Sequence, residues 1–227
     1  LTERFRDKGP FTAEELAGLS TSDCARLFGQ ELDGGPVDAL MGLFAAALNE
    51  LGRYLLAEFP RGRFMGLAEA AHGSAEKLVR RLAEMRFFRD VEQYRGREVP
   101  FYKRAQLTAA DLALALHGEG VGHFTDLDQL TIFADNLVPH VLRVDGVLRY
   151  EEGLVARIEA GELIPAGSEE EIEIRGCALH AVELVAAELR RAGHVVTASG
   201  LDYLLWNRGQ EPAYKAIPRH RTRTVYY

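Results

Sequence analysis

Cysteine, excess positive charge and long apolar runs are all scarce in this chain of 227 residues. Cys24 and Cys177 are too few for a disulfide framework or a structural zinc site, and they predict a reducing, cytoplasmic setting. No apolar run approaches the roughly 18 residues that span a bilayer, so no membrane partner is expected. A net charge of −7 argues against a broad duplex-binding face, which needs many cations to displace counterions, but it leaves room for a small local anion site. No CxxC, HExxH, phosphate-loop or nucleophile-elbow pattern occurs, nor any internal repeat. The chain also begins without Met, and Leu1-Thr-Glu-Arg-Phe-Arg reads as the middle of a helix, so an upstream segment is expected.

What is present is enough apolar residue, 47%, for one large domain or two intimate ones. Helix signals recur along the whole length. Thr12-Ala-Glu-Glu15 and Ser168-Glu-Glu-Glu171 are capping boxes, the second opening a long helix that reaches about Ala192. Thr21 starts another helix, and Val37, Met41, Phe44, Leu48, Leu51 and Leu55 mark one face of a core helix with Pro36 in its first turn. Ser74 caps a helix expected to run from Ala75 to Phe88, whose free amides could also attract an anion. Val91 to Val99 reads as a connector or short extended piece, and Val147 to Tyr150 as a turn with a brief strand.

The informative stretch is Phe101 to Leu142. It predicts a helix ending at Leu116, a glycine hairpin over Gly118, Gly120 and Gly122, and a second helix restarting at Thr125 with Asp128 in a capping box. Asp135 falls near the end of that second helix, where it either faces a cleft or caps a local turn before Pro139. Farther on, Ser199-Gly-Leu-Asp202 opens a helix that carries Asp202 and, four residues later on the same face, the only tryptophan, Trp206. An acid beside a flat ring suits a heterocycle, stacked and hydrogen-bonded; a capping Asp and a core Trp give the same pattern. Between Lys77 and Arg104 nine basic residues meet five acids, which either focus a small anion or coat a solvated helix face.

Five ordered segments, FYKRAQ (Phe101 to Gln106), LTIFAD followed by VP (Leu130 to Pro139), EIEIRGCAL (Glu171 to Leu179), LDYLLW (Leu201 to Trp206) and IPRHRTRTVYY (Ile217 to Tyr227), resemble the queuosine salvage family of queuosine 5′-phosphate N-glycosylases. The resemblance implies an all-α, helical DNA-glycosylase-like fold with a helix-hairpin-helix element. Residues 1–227 would form a single domain lacking an upstream segment. The implied activity is hydrolysis of queuosine 5′-monophosphate to release queuine for salvage into tRNA, with no cofactor or metal and no stable nucleic-acid complex. Family members often carry an aromatic and an arginine after FAD and a Gln after the proline, whereas this chain has Asn136, Leu137 and His140.

On that resemblance Asp135 is the expected catalytic acid, because a carboxylate beside the ribose opposes the positive charge that builds as the base leaves. Asp202 and Trp206 are expected at the base. Lys103 is the first choice for the 5′-phosphate, followed by Arg104, Arg175 and His220, although Glu171 four residues before Arg175 makes an intrahelical pair its default partner. Two rival readings stand beside this one: a DNA-lesion N-glycosylase, and a non-catalytic helical interaction module.

Overall fold

Residues 1–227 are described by a computed structural model with twelve α-helices and a single two-stranded sheet. The amino-terminal helices are α1 (Thr2–Lys8), α2 (Ala13–Ala17), α3 (Thr21–Phe28) and the long α4 (Pro36–Glu58). Thr12 and Glu15 form the expected capping box of α2, and Ser20 with Asp23 forms another for α3, one residue ahead of Thr21. A Cβ on Gly52 would lie 2.5 Å from Ala13 O and Ala17 N, so this glycine lets α4 press directly on α2.

Next come α5 (Phe64–Glu69) and α6 (Ala75–Leu82), then an antiparallel hairpin of β1 (Val91–Tyr94) and β2 (Arg97–Pro100), paired from Val91 with Pro100 to Tyr94 with Arg97. Helix α6 stops at Leu82, short of the expected Phe88. Its amides attract no external anion, because the Asp126 carboxylate occupies them: Ala75 N–H and Glu76 N–H donate to it at 2.6 and 3.2 Å, and Ser74 Oγ at 2.7 Å.

Helix α7 (Lys103–Ala115) follows the hairpin, and α8 (Val138–Val144), α9 (Glu152–Glu159), α10 (Glu169–Arg191), α11 (Ala198–Arg208) and α12 (Pro212–Lys215) complete the chain. The fold is therefore largely helical, and no helix is long and apolar enough to cross a membrane. Two expectations fail. No helix starts at Thr125, where only short 3-10 turns occupy Gly120–Gly122 and Leu127–Gln129, and no strand forms at Val147 to Tyr150.

The segment from Leu130 to Leu137 stays out of regular structure because it lies between two cores. Leu130 and Phe133 enter one core with Leu55, Leu78, Leu82 and Ala109, whereas Ile132 and Ala134 enter the other with Phe101, Val138, Val182 and Leu201. Ile132 and Ala134 enter one core and Phe133 between them the other, the alternation of an extended backbone; in a helix Ile132 and Ala134 would lie about 200° apart and could not share a core.

Candidate active site

With no sheet or helix to pair with, the extended segment draws its hydrogen bonds from side chains on three helices. Gln106 of α7 accepts from Thr131 N–H at 3.0 Å, Asp202 of α11 accepts from Phe133 N–H at 2.8 Å, and Arg175 of α10 donates Nε–H to Ala134 O at 2.9 Å. Asp135 follows immediately. Its Oδ1 accepts from Leu137 N–H at 2.7 Å and Val138 N–H at 3.1 Å, so it caps the entry to α8 rather than ending a helix. The capping alternative is thus realised through one carboxylate oxygen. It does not hide the residue, because Asp135 lines two cavities, of about 500 and about 550 Å³.

The smaller cavity brings together four of the residues singled out in the sequence: Lys103, Asp135, Asp202 and Trp206. Phe133, Leu107 and Tyr203 supply apolar wall that sequence patterns did not reveal, since nothing in them says which apolar residues border a cleft. Asp135 and Asp202 are 7% and 5% exposed, while Trp206 is 43% exposed and offers an accessible ring at the rim. Burial pushes the Asp202 carboxyl up to about 6 with help from the Asp135 charge, against the Phe133 amide and the Lys103 charge that favour its anion. The larger cavity shares Asp135 and Trp206 and adds Lys215, Arg219 and Arg221, three cations that had not been singled out as candidates.

Lys103 owes its place to a strained helix start. Tyr102 has φ 48°, in the left-handed region, and the Asp90 backbone carbonyl accepts from both Phe101 and Tyr102 amides, at 2.9 and 3.1 Å. The Asp90 carboxylate then accepts from Lys103 N–H at 3.2 Å. The same carboxylate pairs with Arg175, whose Nη1 and Nη2 reach its two oxygens at 3.0 and 2.5 Å. One ion pair therefore ties the start of α7, which presents Lys103, to the backbone that presents Asp135.

In this arrangement all three guanidinium nitrogens of Arg175, expected among the phosphate ligands, are engaged within the protein. Its guanidinium is 1% exposed, is held also by Glu171 at 3.3 Å, and lies between the rings of Phe101 and Tyr227 at 3.9 and 4.9 Å. Burial opposes its charge, but the Asp90 hydrogen bonds and the Asp90 and Glu171 carboxylates outweigh that and hold its pKa above the ordinary value.

Arg104 and His220 are likewise not brought to the smaller cavity. Arg104 lies over the Phe88 ring at 5.3 Å and donates to Val225 O at 3.1 Å, fastening the carboxyl-terminal tail. His220 is 2% exposed, its Nε2 has no hydrogen-bond partner, and burial lowers its pKa to about 4, with the Arg175 charge adding to the effect. His140 is also buried; its Nε2–H donates to Tyr214 O at 2.9 Å, which fixes Nδ1 as the unprotonated nitrogen of the neutral ring. No group of three or more His, Cys, Asp or Glu is placed to hold a metal ion.

Three acids (Asp111, Asp135 and Asp202), a lysine and an exposed indole line one cavity, chemistry that suits a small polar heterocycle. Comparison with known proteins points the same way. A Sphaerobacter thermophilus protein named queuosine 5′-phosphate N-glycosylase/hydrolase is 42% identical over 216 residues, covering 95% of this chain and 65% of the relative. Proteins of the same name from Mus musculus and Dictyostelium discoideum are 37% and 34% identical over 190 and 218 residues, covering 79% and 96% of this chain. The chain spans 65%, 56% and 66% of the lengths of these three relatives. The queuosine salvage protein family model matches residues 3–227, nearly end to end, and the chain belongs to that family.

Proposed function

We propose that this chain hydrolyses the N-glycosidic bond of queuosine 5′-monophosphate and releases queuine for return to tRNA. The observation that carries the reading is the convergence of Lys103, Asp135, Asp202 and Trp206 on one cavity of about 500 Å³, in a chain whose relatives are named for this hydrolysis. As the C1′–N9 bond lengthens, positive charge builds on the ribose, and the Asp135 carboxylate opposes it. Oδ1 is committed to the two amides that open α8, so Oδ2 faces the ribose and the attacking water. Asp202, one of whose oxygens accepts from Phe133 N–H, presents the other to the base edge, and Trp206 supplies the stacking surface. Lys103 neutralises the 5′-phosphate, whereas Arg104 holds the tail and Arg175 the backbone around the site.

The stretch from α7 through the glycine loop to α8 is the counterpart of the helix-hairpin-helix of DNA glycosylases, with its second helix beginning at Val138 instead of Thr125. The protein works in the cytoplasm as a single domain on a free nucleotide, without a stable nucleic-acid complex. Incubation with queuosine 5′-monophosphate, followed by chromatography for free queuine, tests the activity. Release of queuine supports the reading, and an intact nucleotide after prolonged incubation removes it.

A further inference from the structure

We propose that Asp202 enters the reaction as the protonated member of a carboxyl pair and gives its proton to the departing base, while the ionised Asp135 attends to the ribose and water. The inference rests on the hydrolase reading above and divides the chemistry between its two acids.

The geometry distinguishes the two carboxyl groups. Asp135 receives two backbone amides on one oxygen, from Leu137 and Val138. Asp202 receives one amide, from Phe133, and lies on α11 against the same cavity at 5% exposure. Two negative charges on the wall of one cavity repel, and the proton goes to the partner with fewer donors. The charged and titratable groups around the cavity are Lys103 and Asp111 from α7, Asp135 ahead of α8, and Tyr203 from α11, so a single cation faces three acids. Burial and the Asp135 charge together bring the Asp202 carboxyl up to about 6.

Position matches the role. Trp206 follows Asp202 by one helical turn and lines the same cavity, so a heterocycle stacked on the indole has its edge toward the Asp202 carboxyl. The base is a 7-deazapurine without the N7 that purine-releasing sites commonly protonate, so its proton must arrive at another heteroatom conjugated with N9. In the step, the C1′–N9 bond breaks and its electron pair goes to N9. The Asp202 proton passes to the conjugated heteroatom, so the base leaves neutral. Water oxygen bonds to C1′ and loses a proton to Asp135, and solvent then returns both acids to their starting states.

Leaving-group dependence tests this. A 4-nitrophenyl β-ribofuranoside 5′-phosphate expels nitrophenolate, which needs no proton, whereas queuosine 5′-monophosphate needs one. Asp202→Asn keeps an oxygen to accept from Phe133 N–H but has no acidic proton, so queuine release should fall about 100-fold or more, the range of general-acid catalysis, while nitrophenyl cleavage stays within about tenfold of wild type. Retained nitrophenyl cleavage also shows that the variant is folded. In the wild type, kcat/KM for the queuosine nucleotide should fall as pH rises above about 6, a limb absent with the nitrophenyl substrate. Equal loss on both substrates, or normal queuine release by Asp202→Asn, overturns the assignment while leaving the hydrolase reading intact. If the wild type cleaves neither substrate, both fall together.

Discussion

Replacing Arg175 by Met separates a residue that holds the site from one that binds substrate. Methionine roughly fills the space between Phe101 and Tyr227, but it leaves the Asp90 and Glu171 carboxylates, 0% and 2% exposed, without their cation, and Ala134 O without its donor. Removing one partner of a buried ion pair costs about 3–5 kcal/mol, and an orphaned carbonyl adds about 1 kcal/mol. For a chain of this size each kcal/mol lowers Tm by about 2–4 °C, so the variant should melt roughly 8–24 °C below wild type. Adding Asp90→Asn removes one stranded charge while keeping an acceptor for Lys103 N–H, and the double variant should recover part of the loss in a double-mutant cycle. Thermal unfolding followed by circular dichroism reads both effects. At a temperature where the single variant is folded, its preference for the monophosphate over the nucleoside should match wild type. An unchanged Tm together with a lost preference would make Arg175 a phosphate ligand and refute the reasoning.

Lys103→Met should reduce the preference for queuosine 5′-monophosphate over queuosine by about ten- to a hundredfold, because a charge-assisted contact contributes roughly 1.5–3 kcal/mol; equal loss on both substrates would place the phosphate elsewhere. Acid should weaken the fold through His220. The unfolded chain takes up a proton near the ordinary value of 6.5, whereas the buried ring resists until about 4, so stability is full above 6.5 and declines as pH falls through that window. Urea unfolding should show a His220 contribution of about 2 kcal/mol lost between about pH 7.5 and about pH 5, with His220→Gln lacking that part of the slope; an unchanged slope in the variant would place the ring in solvent.

Local signals were legible wherever neighbours in sequence decide the outcome. The capping box at Thr12, the caps at Ser74 and Ser168 and the Pro36 turn of α4 all depend on side chains within three or four residues, although Glu171 does not return the bond that would complete a box at Ser168. The helix expected from Thr125 fails because its signals are overruled from a distance. Asp126 is drawn to the amides of α6, and Gln106, Asp202 and Arg175 fix the following backbone in an extended form. The same distance effect hid the nature of Arg175. Glu171 was visible as its partner one turn away, but Asp90 lies 85 residues earlier in the chain. Arg104 and His220 were read as candidates from the family-like segments FYKRAQ and IPRHRTRTVYY, whereas the Phe88 and Val225 contacts of Arg104 and the burial of His220 depend on distant residues and have no local signature. By contrast, Asp202 and Trp206 share one helix, so their common face could be read from spacing alone.

The central claim is that the Asp135 charge serves the reaction beyond its service as a cap, and Asp135→Asn tests it most directly. Asparagine retains an oxygen to accept from Leu137 N–H and Val138 N–H, and it caps as well as aspartate, so melting temperature and ligand affinity should change little. The lost charge matters in the transition state, and turnover should fall by about 100-fold or more, equivalent to about 2.7 kcal/mol. Queuine release, ligand affinity and thermal unfolding, measured on one preparation, should therefore show an intact, binding-competent and nearly inactive protein. Near-normal turnover would reduce Asp135 to a cap and contradict the account.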